Sequence, residues 1–82
     1  MDDIDIKILK AMAPGGTMTQ DVREINKQLK PPLDRKELQE RLERLAVTTR
    51  YVKDEGQRHS QSTGVEFVTL TEYGLRFVRE NK

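Results

Sequence analysis

The sequence predicts a mainly helical fold carrying one β-hairpin, in the order helix, helix, helix, strand, strand, helix. Three observations carry that prediction. Apolar residues recur at helical spacing in three successive segments up to Val47. The period then changes to short runs of branched and aromatic residues on either side of a polar, glycine-bounded stretch. A last helical pattern follows Thr71. The 82 residues suit one domain, 1–82, and no repeat or linker divides them.

The first helix is predicted over Asp3–Met12. Ile4, Ile8, Ala11 and Met12 form its inward stripe, and aspartates crowd the end where the helix dipole favours them. Pro14-Gly15-Gly16 terminates it. The second helix is predicted from Thr19 to Leu29, with Val22, Ile25 and Leu29 inward, Thr17 or Thr19 as cap and Asp21 in the first turn. Lys30-Pro31-Pro32 stops it, because proline lacks the amide donor a helix needs.

The third helix, Arg35 to Val47, carries the clearest signals. Asp34 and Glu37 stand at capping-box spacing, and Leu33 and Leu38 stand at hydrophobic-staple positions. Leu38, Leu42 and Leu45 make one apolar face. Tyr51-Val52 and Val65–Leu70 read as strands, joined by the long polar loop 54–64. The closing helix runs from Glu72 to about Asn81. Thr71 caps it, and Tyr73, Phe77 and Val78 share one side.

Several of these segments resemble a known family. Asp3-Ile4-Asp5-Ile6-Lys7-Ile8-Leu9 is similar to the opening helix of feast/famine-type regulators. Leu33-Asp34, followed by Leu38, Leu42 and Leu45, resembles the recognition helix of winged helix-turn-helix regulators of bacteria and archaea. Leu70-Thr71-Glu72-Tyr73-Gly74 resembles the step from wing to final helix in multiple-antibiotic-resistance-type regulators. Many such relatives leave the third helix through a glycine. None stands near Thr49-Arg50, which predicts a different exit here. The resemblance implies a winged helix-turn-helix domain that binds double-stranded DNA and regulates transcription, with helix 35–47 in the major groove and wing 50–64 on the backbone or minor groove.

Composition narrows the chemistry. With no cysteine, the chain holds neither a disulfide nor a zinc–thiolate site. His59 is the single histidine and lacks partners in sequence for a metal or a triad; no phosphate-loop glycine pattern occurs. The expectation is a binding protein without catalysis, cofactor or metal. Met1-Asp2-Asp3 is followed by no leader-like apolar run, and no apolar stretch is long enough to span a bilayer. A cytoplasmic location without membrane contact is expected.

Net charge is only +1, so any electrostatic footprint must come from local placement. On a wheel of about 100° per residue, the third helix turns Lys36, Glu40, Glu43 and Val47 outward. Arg35, Lys36 and Gln39, near its N-terminal end, are the expected base or backbone contacts. Arg50, Lys53, Gln57, Arg58 and His59 are the expected contacts of the wing, since basic and amide side chains reach phosphate oxygens. Lys27 and Lys30 are further backbone candidates. Glu37–Arg41 and Glu40–Arg44 are also spaced as surface ion pairs, each worth roughly 0.2–0.5 kcal/mol. A helix face laced with such pairs suits the alternative function, a protein-interaction module without specific DNA binding.

Ile6 lies off the core stripe and Leu75 widens the apolar face of the last helix. With Val78 they form the expected interface of a homodimer; the alternative is packing within one chain. Sedimentation equilibrium at concentrations on the order of tens of micromolar should find a dimer that Ile6→Lys converts to monomer, and a monomeric wild type refutes the pairing.

Overall fold

Residues 1–56 and 64–81 are described by a computed structural model. The elements are α1 (Asp3–Met12), β1 (Thr19–Asp21), α2 (Val22–Gln28), α3 (Arg35–Arg44), β2 (Val52–Gly56), β3 (Phe67–Leu70) and α4 (Glu72–Glu80). The fold is mainly helical, with a small antiparallel sheet of three strands in the order β1-β3-β2. The predicted wing tip, including Gln57, Arg58 and His59, lies outside the described residues.

Helix α1 has the predicted bounds. Asp2 starts it by accepting from the Asp5 amide at 3.0 Å, while the Asp5 carboxylate faces the Asp2 amide, a reciprocal box that satisfies two helix-end donors. Its buried apolar residues are Ile8, Leu9 and Met12. Ile4 and Ala11, expected in the core, are only half-buried.

The second predicted helix begins three residues late. Thr19, Gln20 and Asp21 are extended and pair with Thr69, Val68 and Phe67 of β3. Asp21, expected inside the first turn, is instead the cap, accepting from the Arg23 amide at 2.8 Å. A strand this short shows no alternation of its own, and its partner lies far along the chain. The α2–α3 connection is closed by Asn26. Its amide nitrogen donates to the Leu33 carbonyl and its oxygen accepts from the Leu33 amide, both at 2.8 Å.

Helix α3 ends at Arg44, earlier than predicted, and continues as a wider π-helical turn over Leu45–Thr49. The Thr49 hydroxyl donates to the Leu45 carbonyl at 2.7 Å and accepts from the Tyr51 amide at 3.1 Å. The Arg50 amide returns to the same Leu45 carbonyl at 2.9 Å. Arg50 itself is left-handed, with φ 60° and ψ 22°. The exit is therefore the left-handed turn usual for such a helix end, with an arginine bearing the steric cost that glycine avoids. At the other end Asp34 caps through the Lys36 amide at 3.2 Å, and Glu37 turns to Arg41, so the predicted capping box does not form.

Strand β2 extends further than predicted, through Gly56, with a bulge between Asp54 and Gly56. Buried Val52, Val65, Val68 and Leu70 meet Ile8, Leu9, Met12, Val22, Ile25, Leu38, Leu42 and Leu45 in one core. Helix α4 has the predicted cap. Thr71 accepts from the Gly74 amide at 3.1 Å, and its hydroxyl lies 2.7 Å from the Arg50 carbonyl oxygen. Phe77 stacks on Tyr51 with ring centroids 4.7 Å apart, whereas Tyr73, expected beside it, is 66% exposed.

Gly74 explains why the step into α4 ends in glycine. A Cβ there would run into the Tyr51 carbonyl and stand 2.7 Å from a Leu70 methyl. Backbone on one side and a core side chain on the other leave nothing cheap to move. Gly74→Ala should lower stability by about 1–3 kcal/mol in urea unfolding, despite the higher helix propensity of alanine; an unchanged midpoint would show that α4 shifts freely.

Candidate functional site

Helix α3 and the β2–β3 hairpin present the largest set of predicted contact residues. The rotation of α3 is set by two forces. Leu38 and Leu42 are fully buried, and Leu45 nearly so. Arg41, the expected partner of Glu37, forms that pair and also reaches sideways to α1. Its guanidinium lies 2.9 Å from Asp2, 3.0 Å from Asp5 and 3.0 Å from Glu37. Asp5 is only 3% exposed and the Arg41 side chain 14%. Three carboxylates hydrogen-bonded to Arg41 raise its pKa further above the ordinary arginine value, so it stays charged. The Asp2 carboxyl is held below its ordinary value, first by the Asp5 amide and then by Arg41.

With these sides engaged, Arg35, Lys36, Glu40, Glu43, Arg44 and Val47 are left exposed. Val47 is 81% exposed. No ion pair joins Glu40 to Arg44, so only the Glu37 pair of the two predicted ones forms. Lys36 is exposed at the first turn, as expected. Arg35 is partly engaged, with its guanidinium 3.4 Å from Glu66 beside β3. Gln39 points to the hairpin. Its amide donates to the Val65 carbonyl at 2.9 Å, and its side chain packs against Gly64, where a Cβ would come within 2.8 Å. Gln39 thus fastens the hairpin root to the middle of α3. The Glu66 carbonyl accepts from the Val22 amide at 2.9 Å, tying that root to α2 as well.

On β2, Lys53 is exposed and 3.8 Å from Glu55. Arg50 is exposed at the left-handed position where helix passes into sheet. The structure therefore brings Arg35, Lys36 and Gln39 onto one helix beside the hairpin that carries Arg50 and Lys53 at its base. Sequence reasoning missed Asn26, Glu66 and strand β1, which position these elements. Only Asp21, a good cap residue directly before Val22, signalled the late start of α2.

Of the expected dimer residues, Leu75 and Val78 pack against the core of their own chain and Ile6 is half-buried. Among the described residues, no histidine, cysteine or carboxylate group is arranged to hold a metal ion, and no helix is long and apolar enough to cross a membrane. Comparison of the chain with protein families, characterised proteins and solved structures finds no match.

Removing Arg41 leaves Asp5 buried without its cation. Arg41→Ala should cost about 3 kcal/mol, and Asp5→Asn should restore part of that loss; additive losses would refute the coupling. Asp2 gives the pH sign. Its carboxyl is lowered in the folded chain, so its stabilising effect is present above the ordinary value of 3.8 and is lost as pH falls through the folded value. Acid unfolding of Asp2→Asn should therefore show a shallower loss of stability below about pH 4 than the wild type.

Proposed function

We propose that this chain is a winged helix-turn-helix protein that binds double-stranded DNA sequence-specifically and regulates transcription. Helix α3 lies in the major groove and the β2–β3 hairpin on the backbone or minor groove. One observation carries the proposal: the Gln39–Val65 hydrogen bond, which holds the hairpin root against α3 so that helix face and hairpin form one surface. The element order supports it, since β1 precedes α2 and joins the hairpin strands β2 and β3 in one antiparallel sheet.

On this reading Lys36 and Arg35 lie nearest the groove, with Arg50 and Lys53 on phosphates. Gln39 acts by holding the hairpin. Glu40 and Glu43 sit in the exposed centre of α3, where a carboxylate can accept from a cytosine amine but repels phosphate. The chain binds and does not catalyse. Pairing through Ile6, Leu75 and Val78 would use only what packing within one chain leaves exposed.

A second reading is a protein-interaction module. It is favoured by the 81% exposure of Val47 next to Glu40 and Glu43, an apolar spot beside acids rather than a basic surface.

Titration of labelled duplex DNA separates the two. A surface making about four phosphate contacts should lose roughly a hundredfold in affinity between about 50 and 200 mM salt, and Lys36→Ala should reduce the salt slope by about one. Arg50→Gly should weaken DNA binding while raising stability by about 1 kcal/mol, because glycine relieves the left-handed strain. Absence of binding at the lower salt would remove the DNA reading.

A further inference from the structure

A groove runs between α1 and the α2–α3 connection. It has a volume of about 440 Å³, and Ile4, Ala11, Leu29 and Leu33 give it apolar lining. That volume falls within the range of ordinary ligand sites. Ile4 and Ala11 are the two α1 residues whose helical spacing predicts a core position and which the fold leaves half-exposed.

Cations stand on both walls. Lys7 and Lys10 come from α1, and Lys30 comes from the opposite side. No carboxylate lines the groove, and among the described residues none of these three lysines has an ion-pair partner. Elsewhere Arg23, Lys27, Arg35, Arg41 and Lys53 each face a carboxylate. Lys7 and Lys10 are neighbours on the helix surface, where like charges repel, and only Lys10, in the last turn, gains from the helix dipole. Lysine stems lie along apolar surface while their ammonium heads reach outward.

We infer that this groove docks an acidic amphipathic helix from a partner protein. Apolar side chains of that helix enter between α1 and Leu29, and carboxylates on its two flanks meet Lys7 and Lys10 on one side and Lys30 on the other. The distribution of charge chooses this occupant over a small amphiphile, because a single carboxylate meets only one wall. From Ile4 to Ala11 the groove follows α1 for about 10 Å, enough for two successive anchors of a docked helix at i and i+4. No groove residue belongs to α3 or to the hairpin, so docking leaves those two elements open and does not depend on the DNA reading, which shares only the backbone candidate Lys30 with it.

The test uses a fluorescein-labelled helical peptide of about 16 residues with leucines at i, i+3, i+4 and i+7 and glutamates on both flanks. Its counterpart carries glutamine for every glutamate. The acidic peptide should bind the full chain with Kd on the order of tens of micromolar and shift the backbone amide signals of Ile4, Ala11 and Leu29. The glutamine peptide should bind at least about tenfold more weakly, as should the acidic peptide to the exposed double variant Lys7→Glu/Lys10→Glu, a loss of about 1.4 kcal/mol. Circular dichroism verifies that the variant is folded. No binding at about 1 mM peptide, equal binding of the two peptides, undiminished binding to the folded variant, or shifts confined to α3 and the hairpin would each overturn the proposal. So would decanoate shifting the groove signals where the acidic peptide shifts none.

Discussion

A single guanidinium joins the start of the chain to its third helix. Asp5 points into the protein from the first turn of α1, where an unpaired carboxylate would be costly to bury. Arg41 meets it at 3.0 Å and draws in Asp2 and Glu37 from the solvent side. A charge-assisted network with every member bonded is directional in a way leucine packing is not. Leu38, Leu42 and Leu45 tell α3 which side faces the core. Arg41 tells it which flank faces α1, and the exposed face follows from both.

The hairpin is held at both roots by equally specific contacts. On the β3 side, Gln39 reaches the Val65 carbonyl and Glu66 meets Arg35 and the Val22 amide. On the β2 side, Thr71 holds the backbone at Arg50 and Tyr51, and Gly74 lets α4 sit directly on the Tyr51 carbonyl. Arg50 is kept left-handed by the Leu45 and Thr71 hydrogen bonds around it. Strain of this kind persists only where neighbouring contacts over-determine the backbone. The result is a helix and a hairpin whose relative placement is built into the fold.

Electrostatics works locally in this chain. Positive and negative residues nearly cancel, yet they are not evenly used. Acids cap α1, α2 and α3 or face Arg41, whereas Glu40 and Glu43 and several cations stand exposed. Lys36 and Arg50 flank the exposed part of α3, while Lys7, Lys10 and Lys30 border the apolar groove between α1 and the α2–α3 connection. The two surfaces draw on different elements of the fold.

Local chemistry was legible in the sequence. The bounds of α1, the Asp34 and Thr71 caps, the leucine face of α3 and the presence of a hairpin all follow from spacing within a few residues. Contacts between distant residues were not legible. Thr19–Asp21 is a strand because β3 offers it an edge. Gln39 looks like a surface amide until Val65 is brought beside it, and Arg41 looks like half of an i,i+4 pair until Asp5 arrives from α1. Sequence by itself determined that there are four helices, the Asp34 and Thr71 caps and the absence of cysteine chemistry, because those depend on neighbours along the chain. Tertiary structure alone decided which polar side chains are engaged within the fold and which face outward, because that depends on groups more than twenty residues apart meeting in space.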